Sequence, residues 1–383
     1  MTLPVVQPRP GLAIVLPSTS AVTSWVSRRT VVTIGIFLTV LGLFLTQTRL
    51  PATLLKLETA DRAQSARGRV GFAQVIDPET LPGWLQWLAY GVNLWDGNAI
   101  GMFFAMLLAG AAAGMFAPAT RLRGVLTRRG AAGAGVGGML GVPLMMCSAC
   151  SAPVSLGFRR SGASVETSLG VVVGSALFNP IGLIALFVAL PLSMGLSRVG
   201  FGLIALFLLV PLAARFGRPG FESESESCAL PVGGVDAPAV PVETWRAAAR
   251  GAGQDWLRAS AEVAWRLGPI MLAATLVVGV VFTLVPPQTL SDRAGTGILA
   301  VVIAALVGTL LQTPALFEIP LVLGLLFLGL GIGPAVALLI TAPAPGLITL
   351  ALTRRELGWQ PPFVLMAGTF AAGVTGGVLL GVL

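Results

Sequence analysis

Two cysteines, Cys147 and Cys150, stand three residues apart in Cys-Ser-Ala-Cys-Ser-Ala-Pro, residues 147–153. Thiolates bind soft, thiophilic species, and two of them on one short turn can chelate. Cys147 and Cys150 are therefore candidate cargo ligands, with Ser148 and Ser151 beside them. A second role stays open: buried Cys behaves as a small hydrophobe that lets helices approach. A dithiol redox motif needs a βαβ setting, which the surrounding sequence does not offer. Cys228 lies far away in an acidic stretch. Asn179-Pro180 is the next feature. Proline removes a helix hydrogen bond and frees a carbonyl, while asparagine adds an amide. Its counterpart is Thr341-Ala-Pro343-Ala-Pro345, where two prolines imply local unwinding. Freed carbonyls near a bilayer midplane can coordinate ions or cargo. Asn179, Thr313 and Thr341 join the candidate contacts, and Pro153, Pro180, Pro314, Pro320, Pro343 and Pro345 shape the breaks. Glu318 is an acid deep in an apolar run. A charge at the bilayer centre costs about 3 kcal/mol or more, so such an acid is a functional candidate by default. It is read as a proton-coupling or cation-binding group, or as a protonated acid bonded to a freed carbonyl.

These residues sit in a chain of 383 residues, 55% hydrophobic and 10% charged. Soluble domains carry about 25% charged residues. Mean hydropathy is +0.88. The chain contains no histidine, which removes imidazole metal sites and histidine proton relays. Three cysteines make no disulfide framework. The single lysine, Lys56, stands in no Walker A motif, and no acidic cluster for Mg²⁺ lies near the apolar runs. No enzymatic activity, cofactor or metal is expected. The pI near 11 comes from loop arginines and points to membrane orientation rather than nucleic acid. The expected partners are the lipid bilayer and a small-molecule or ion cargo.

The elements that must position these residues are membrane helices. About 20 apolar residues cross a hydrocarbon core. Residues 31–48, 98–117, 164–191, 197–214, 266–285, 331–352 and 361–383 qualify as full spans. Residues 131–158 and 296–329 are too long for one crossing. Each is interrupted, at 147–153 and 313–320, and each is read as a re-entrant helical hairpin with an irregular tip. Such a tip survives at membrane depth only when protein or a cavity covers it. The expected fold class is an all-α membrane protein with about seven full transmembrane helices and two re-entrant hairpins. With the N-terminus in the cytoplasm, Arg28, Arg29, Arg121, Arg123, Arg159, Arg160, Arg354 and Arg355 fall inside. Lys56, Arg62, Arg198 and Arg293 fall outside, in keeping with the positive-inside rule. The expected location is the cytoplasmic (inner) membrane. Ser27-Arg28-Arg29 faintly resembles a twin-arginine signal, but no small-x-small cleavage site follows, and no cleaved leader is expected.

The expected organisation is a cytoplasmic segment 1–30, a first transmembrane helix 31–48, and an external loop 49–96 with an interfacial helix around Trp84, Trp87, Tyr90 and Trp95. A first permease repeat, 97–214, follows. A cytoplasmic linker and amphipathic helix at 215–262 precede a second repeat, 263–383. The repeats share Pro, Gly and Gly at equal offsets in 153–162 and 320–329. Ser175-Ala176 pairs with Thr341-Ala342, and 182–186 with 346–350 after a two-residue gap. Hairpins entering from opposite sides make this an inverted repeat, a transporter plan with its site at the midplane.

The stretch 147–180 resembles a family of predicted permeases that includes the ArsP organoarsenical efflux permeases. Cys147, Cys150, Pro153, Gly157, Arg159, Arg160, Gly162, Ala163, Asn179 and Pro180 fit its pattern. The second half, through Glu318, Pro320 and Thr341, is similar but looser. The resemblance implies a permease and an ArsP-like efflux of a trivalent (organo)arsenical, with the cysteines as ligands. The expected function is secondary transport of a thiophilic solute. Uptake of a sulfur-containing anion is the alternative within transport, and a non-transport membrane enzyme or a scaffold protein is the alternative outside it.

Overall fold

The computed structural model of the chain describes residues 28–49, 51, 75–115, 124–217, 244–284, 297–313, 318–327 and 329–382. Every regular element among them is helical. The N-terminal segment 1–27, Lys56, Arg62, Arg121, Arg123, the linker with Cys228, Arg293 and Pro314 lie outside the described residues.

Helix α1 is Arg28–Phe44 and continues into a π turn, Leu45–Arg49. A long helix α2, Gln86–Met115, carries Trp87, Tyr90 and Trp95 into the apolar stretch without a break at position 97. Then come α3 (Gly130–Gly141), α4 (Ser148–Arg160), α5 (Val165–Leu177), α6 (Pro180–Ala189) and α7 (Leu192–Ile204). A π turn at Ala205–Leu209 joins α7 to a last turn, Val210–Ala214. The second series opens with α8, Trp245–Leu284, one continuous helix across the 262/263 boundary. It continues with α9 (Ile298–Leu311), α10 (Glu318–Phe327), α11 (Ile332–Thr341), α12 (Leu347–Leu357) and α13 (Gln360–Val382). Four helical stretches are long and apolar enough to cross a membrane: Arg28–Thr48, Val165–Ala189, Leu192–Ala214 and Gln360–Gly381. The outer surface is correspondingly oily, with Val188 75% and Leu379 62% exposed. A continuous apolar exterior of this kind belongs in lipid.

The two series, α2–α7 and α8–α13, follow one local plan. Among the described residues, two non-glycine residues have positive φ, Met145 (49°) and Gln312 (42°). Each sits just after the first half-helix, at the head of a tip. Each second half-helix contains a proline at the same place, Pro153 and Pro320. Each ends in the same glycine cap. Gly162 donates to the Arg159 carbonyl and Ala163 to that of Phe158. Gly329 donates to the Leu326 carbonyl and Leu330 to that of Leu325. Both are six-to-one and five-to-two caps, which need a left-handed residue that glycine adopts without a Cβ penalty. The displacement is 167 residues throughout (312 − 145, 329 − 162), and no gap is needed. At this spacing Ser175 falls opposite Ala342 and Asn179 opposite Gly346, one residue on from the Ser175–Thr341 pairing of the sequence matches.

The register explains the packing. α3 lies against α5, and α9 against α11. A Cβ on Gly141 would overlap the Val171 carbonyl, and one on Gly308 the Thr341 hydroxyl. Backbones that approach this closely are the usual way apolar helices associate in lipid, where dispersion replaces the hydrophobic drive. α2 and α8 also pack on each other. Gly279 meets Trp87 and Gly91, while Gly110 meets Ser260 at the far end. Rising numbers on one helix meet falling numbers on the other, so the two helices run antiparallel. α1 covers both of them.

Candidate functional site

The first tip is made by a chain that cannot continue as helix. Met145 takes the left-handed conformation, and Cys147 caps α4, its sulfur accepting from the Cys150 backbone N–H at 3.3 Å. The cap brings the Cys147 and Cys150 sulfurs to 2.7 Å of each other. Both residues are buried, as are Ser148 and Ser151. Ser151 Oγ donates back to the Ser148 carbonyl. Pro153 sits inside α4, where it cannot donate to the Ala149 carbonyl, and the chain is helical from Ser148, so the break lies at Met145–Cys147 rather than across the expected 147–153. Ser175 of α5 holds the tip from behind. The Met146 N–H donates to Ser175 Oγ, which donates to the Met146 carbonyl, both at 3.0 Å.

The second tip is anchored at the matching place. The Thr313 N–H donates to the Ala342 carbonyl at 2.9 Å. Thr313 Oγ1 is buried and has no hydrogen-bond partner among the described residues. The break after α5 is capped locally: Asn179 Oδ1 accepts from the N–H groups of Ile181 and Gly182, and Pro180 occupies the first helical position. That is the usual chemistry of a helix start. The matching break, with Pro343 and Pro345, ends at Gly346, which has no side chain. Gln312, left-handed at the second tip, supplies the missing oxygen. Its Oε1 accepts from Ile348 N–H at 3.0 Å and Thr349 N–H at 3.2 Å. Positions 348 and 349 are the counterparts of 181 and 182. One capping function is thus served from within its own break in one series and by the tip in the other.

Gln312 also joins the two tips. Its Nε2 donates to Ser148 Oγ at 2.6 Å and to Thr349 Oγ1. Ser148 Oγ in turn donates to the Ala344 carbonyl at 3.0 Å, a carbonyl left open by the Pro343–Pro345 unwinding. Cysteine tip, glutamine tip and proline break therefore meet through Ser148. Thr341 does not take part: its hydroxyl donates to Ala337 in its own helix and lies against Gly308.

Glu318 belongs to a different cluster. Arg198 Nη1 donates to Glu318 Oε1 at 2.8 Å, and both side chains are buried, 1% and 2% exposed. Arg198 Nη2 reaches the Ala176 carbonyl at 3.3 Å. Arg198 is thus not in an external loop. It lies one and a half turns inside α7, and Glu318 finds a guanidinium rather than a carbonyl. A buried charge is retained when a counter-charge and hydrogen bonds meet it. A lone arginine opening an apolar run, matched by a lone acid in another, was the available signal. Gln312 left a fainter one, a polar residue abutting a proline break.

A third contact closes one end. Arg160, the last residue of α4, donates through Nε to Glu356 of α12 at 2.8 Å, and lies 3.9 Å from Glu262 of α8. Among the described residues no group of three or more His, Cys, Asp or Glu side chains could hold a metal.

The family model described as "Predicted permease" (ArsP_1) matches residues 92–382, which includes both tips and both breaks. The UPF0718 protein YraQ of Escherichia coli (strain K12) is 27% identical over 294 residues, 76% of this chain and 79% of that protein. The UPF0718 protein MJ0584 of Methanocaldococcus jannaschii is 30% identical over 106 residues, 27% of this chain and 29% of that protein. No solved structure matches.

Proposed function

This chain belongs to the predicted permease family, and on that premise we propose that it is a secondary transporter whose cargo binds between the two helix tips. The observation that carries the reading is the meeting of both tips at Ser148, beside the buried Cys147–Cys150 pair. Broken helices that present open carbonyls and caps to a shared interior point are the general form of a transporter site. The antiparallel packing of α2 on α8 supports the finer topology. Two equivalent helices that run in opposite senses are what repeats of inverted orientation require. In this reading α3–α4 and α9–α10 are re-entrant hairpins entering from opposite sides of the cytoplasmic membrane. Counting α5–α6 and α11–α12 as one broken span each gives seven full spans. The arginine distribution then sets the N-terminus inside. The domain plan is one extra helix followed by two permease repeats.

The cargo class follows from the thiols. Two sulfurs on one helix turn suit a soft, trivalent centre, and each thiol releases its proton on ligation. We assign efflux of a thiophilic solute such as a trivalent organoarsenical to this site. Ser148, Ser151, Asn179 and Thr313 shape or line it, with Thr341 and the prolines holding the backbone. The test is transport of a trivalent phenylarsenical by the purified protein in liposomes. Wild type should move the probe, and Cys147→Ser or Cys150→Ser should abolish the movement. Unchanged transport in both variants would make the cysteines packing residues and sink the thiophile assignment.

A further inference from the structure

The cysteine tip leaves the Arg198–Glu318 pair unused. Its location is specific: α7 closes the first series, and α10 is the second half-helix of the second, so the pair bridges the two. It is also incompletely satisfied. Glu318 Oε2 and Arg198 Nε are both buried, and neither has a hydrogen-bond partner among the described residues. A pair retained only for stability in an apolar interior would be expected to satisfy its remaining polar atoms, because taking charges out of water is costly. Here one acceptor and one donor stay open. The elements that chiefly pack on α10 are α6 and α11, and neither carries an ionisable side chain. α7 contributes Arg198 alone. Among the described residues, counter-charge for Glu318 therefore comes from one residue, Arg198 of the other series.

We propose that Glu318 is a proton-binding residue, and that its ion pair with Arg198 is a clasp between the two repeats that proton uptake at Oε2 releases. The step is a simple association: one proton adds to the carboxylate and gives the neutral acid. The pair passes from zero net charge to one positive charge, held on Arg198. An uncompensated guanidinium is costly in a dry interior. It regains solvation when α7 and α10 part, so protonation favours the separated arrangement. Loss of the proton restores the attraction and closes the seam. This deepens the transporter reading and rests on it, since it supplies the energy coupling of two rocking repeats. The proton site and the thiol tip are separate clusters, so coupling and cargo recognition reside on different residues.

The test uses the full-length protein in liposomes without cargo. Infrared spectra follow the carboxylic-acid C=O stretch, and hydrogen–deuterium exchange, corrected for intrinsic pH dependence, follows α7 and α10. Acidification of wild type should bring in a buried acid band and speed exchange in both helices several-fold. Glu318→Gln, an isosteric mimic of the protonated state, should lack that band and exchange fast at alkaline and acidic pH alike. Glu318→Asp should restore both the band and the pH response. A band that persists in Glu318→Gln, or a variant that exchanges like wild type at alkaline pH, overturns the proposal. So does a wild type that shows neither change, whatever the variants do. Because no cargo is present, failure of the arsenical probe leaves these outcomes readable.

Discussion

The two tips are built on one backbone plan and carry opposite chemistry. Met145 and Gln312 turn the chain the same way, and the caps at Gly162 and Gly329 end the following half-helices alike. Onto that frame the first tip places two thiols and two hydroxyls, with a helix start capped by its own Asn179. The second places an amide and a carboxylate, with a helix start capped from the tip by Gln312. The shared part is what a membrane demands of any broken helix: every freed backbone group must find a partner. The unshared part meets that demand in different ways, Asn179 capping its own helix and Gln312 reaching across from the tip, and it carries the thiols, the amide and the carboxylate. Where two stretches share one backbone plan, the departures from it are therefore the residues to question first.

Breaking the comparison is most direct at the charge. Arg198→Met leaves Glu318 buried alone and should lower stability by about 3–5 kcal/mol. Arg198→Met with Glu318→Leu should recover most of it, read by unfolding in detergent. Equal loss in single and double variants would mean that the pair is not coupled. The shared frame predicts matching damage at matching glycines. Gly141→Val and Gly308→Val should each cost about 1–3 kcal/mol by overpacking, and a tolerant site at either position would break the equivalence. The caps should differ in size. Gln312→Ala strands the Ile348 and Thr349 N–H groups and the Ser148 contact, about 1–3 kcal/mol. Asn179→Ala removes one local cap, about 1 kcal/mol. The reverse order would deny Gln312 its linking role. Smallest in stability are Cys147→Ser and Cys150→Ser, which should unfold within about 1 kcal/mol of wild type while losing transport of the phenylarsenical. A stability loss as large as the transport loss would return the thiols to packing.

Much of this plan could be read in advance. Apolar runs too long for one crossing, each cut by proline, announce helix–break–helix units, because proline and glycine act locally. Asn179-Pro180 carries its own cap chemistry, and α6 begins there. Glu318 stood out because an acid in an apolar run is rare for a solvation reason. Other features were illegible. Arg198 looked like a loop residue at the edge of a span, and its burial depends on α10, 120 residues away. Gln312 drew no reading from the sequence, because its role depends on Gly346 lacking a side chain. The sequence matches pair Ser175 with Thr341, whereas the left-handed turns at Met145 and Gln312 and at Gly162 and Gly329 recur at one constant spacing.

By itself, then, the amino-acid sequence determined the solvent, the helices and the places where they break, because hydropathy, proline geometry and capping are properties of neighbouring residues. Tertiary structure alone decided which breaks meet, which acid meets which arginine, and which tip caps which helix. Those choices depend on residues far apart in the chain, brought together where glycine lets backbones touch and where a buried polar atom must find its partner across the interior.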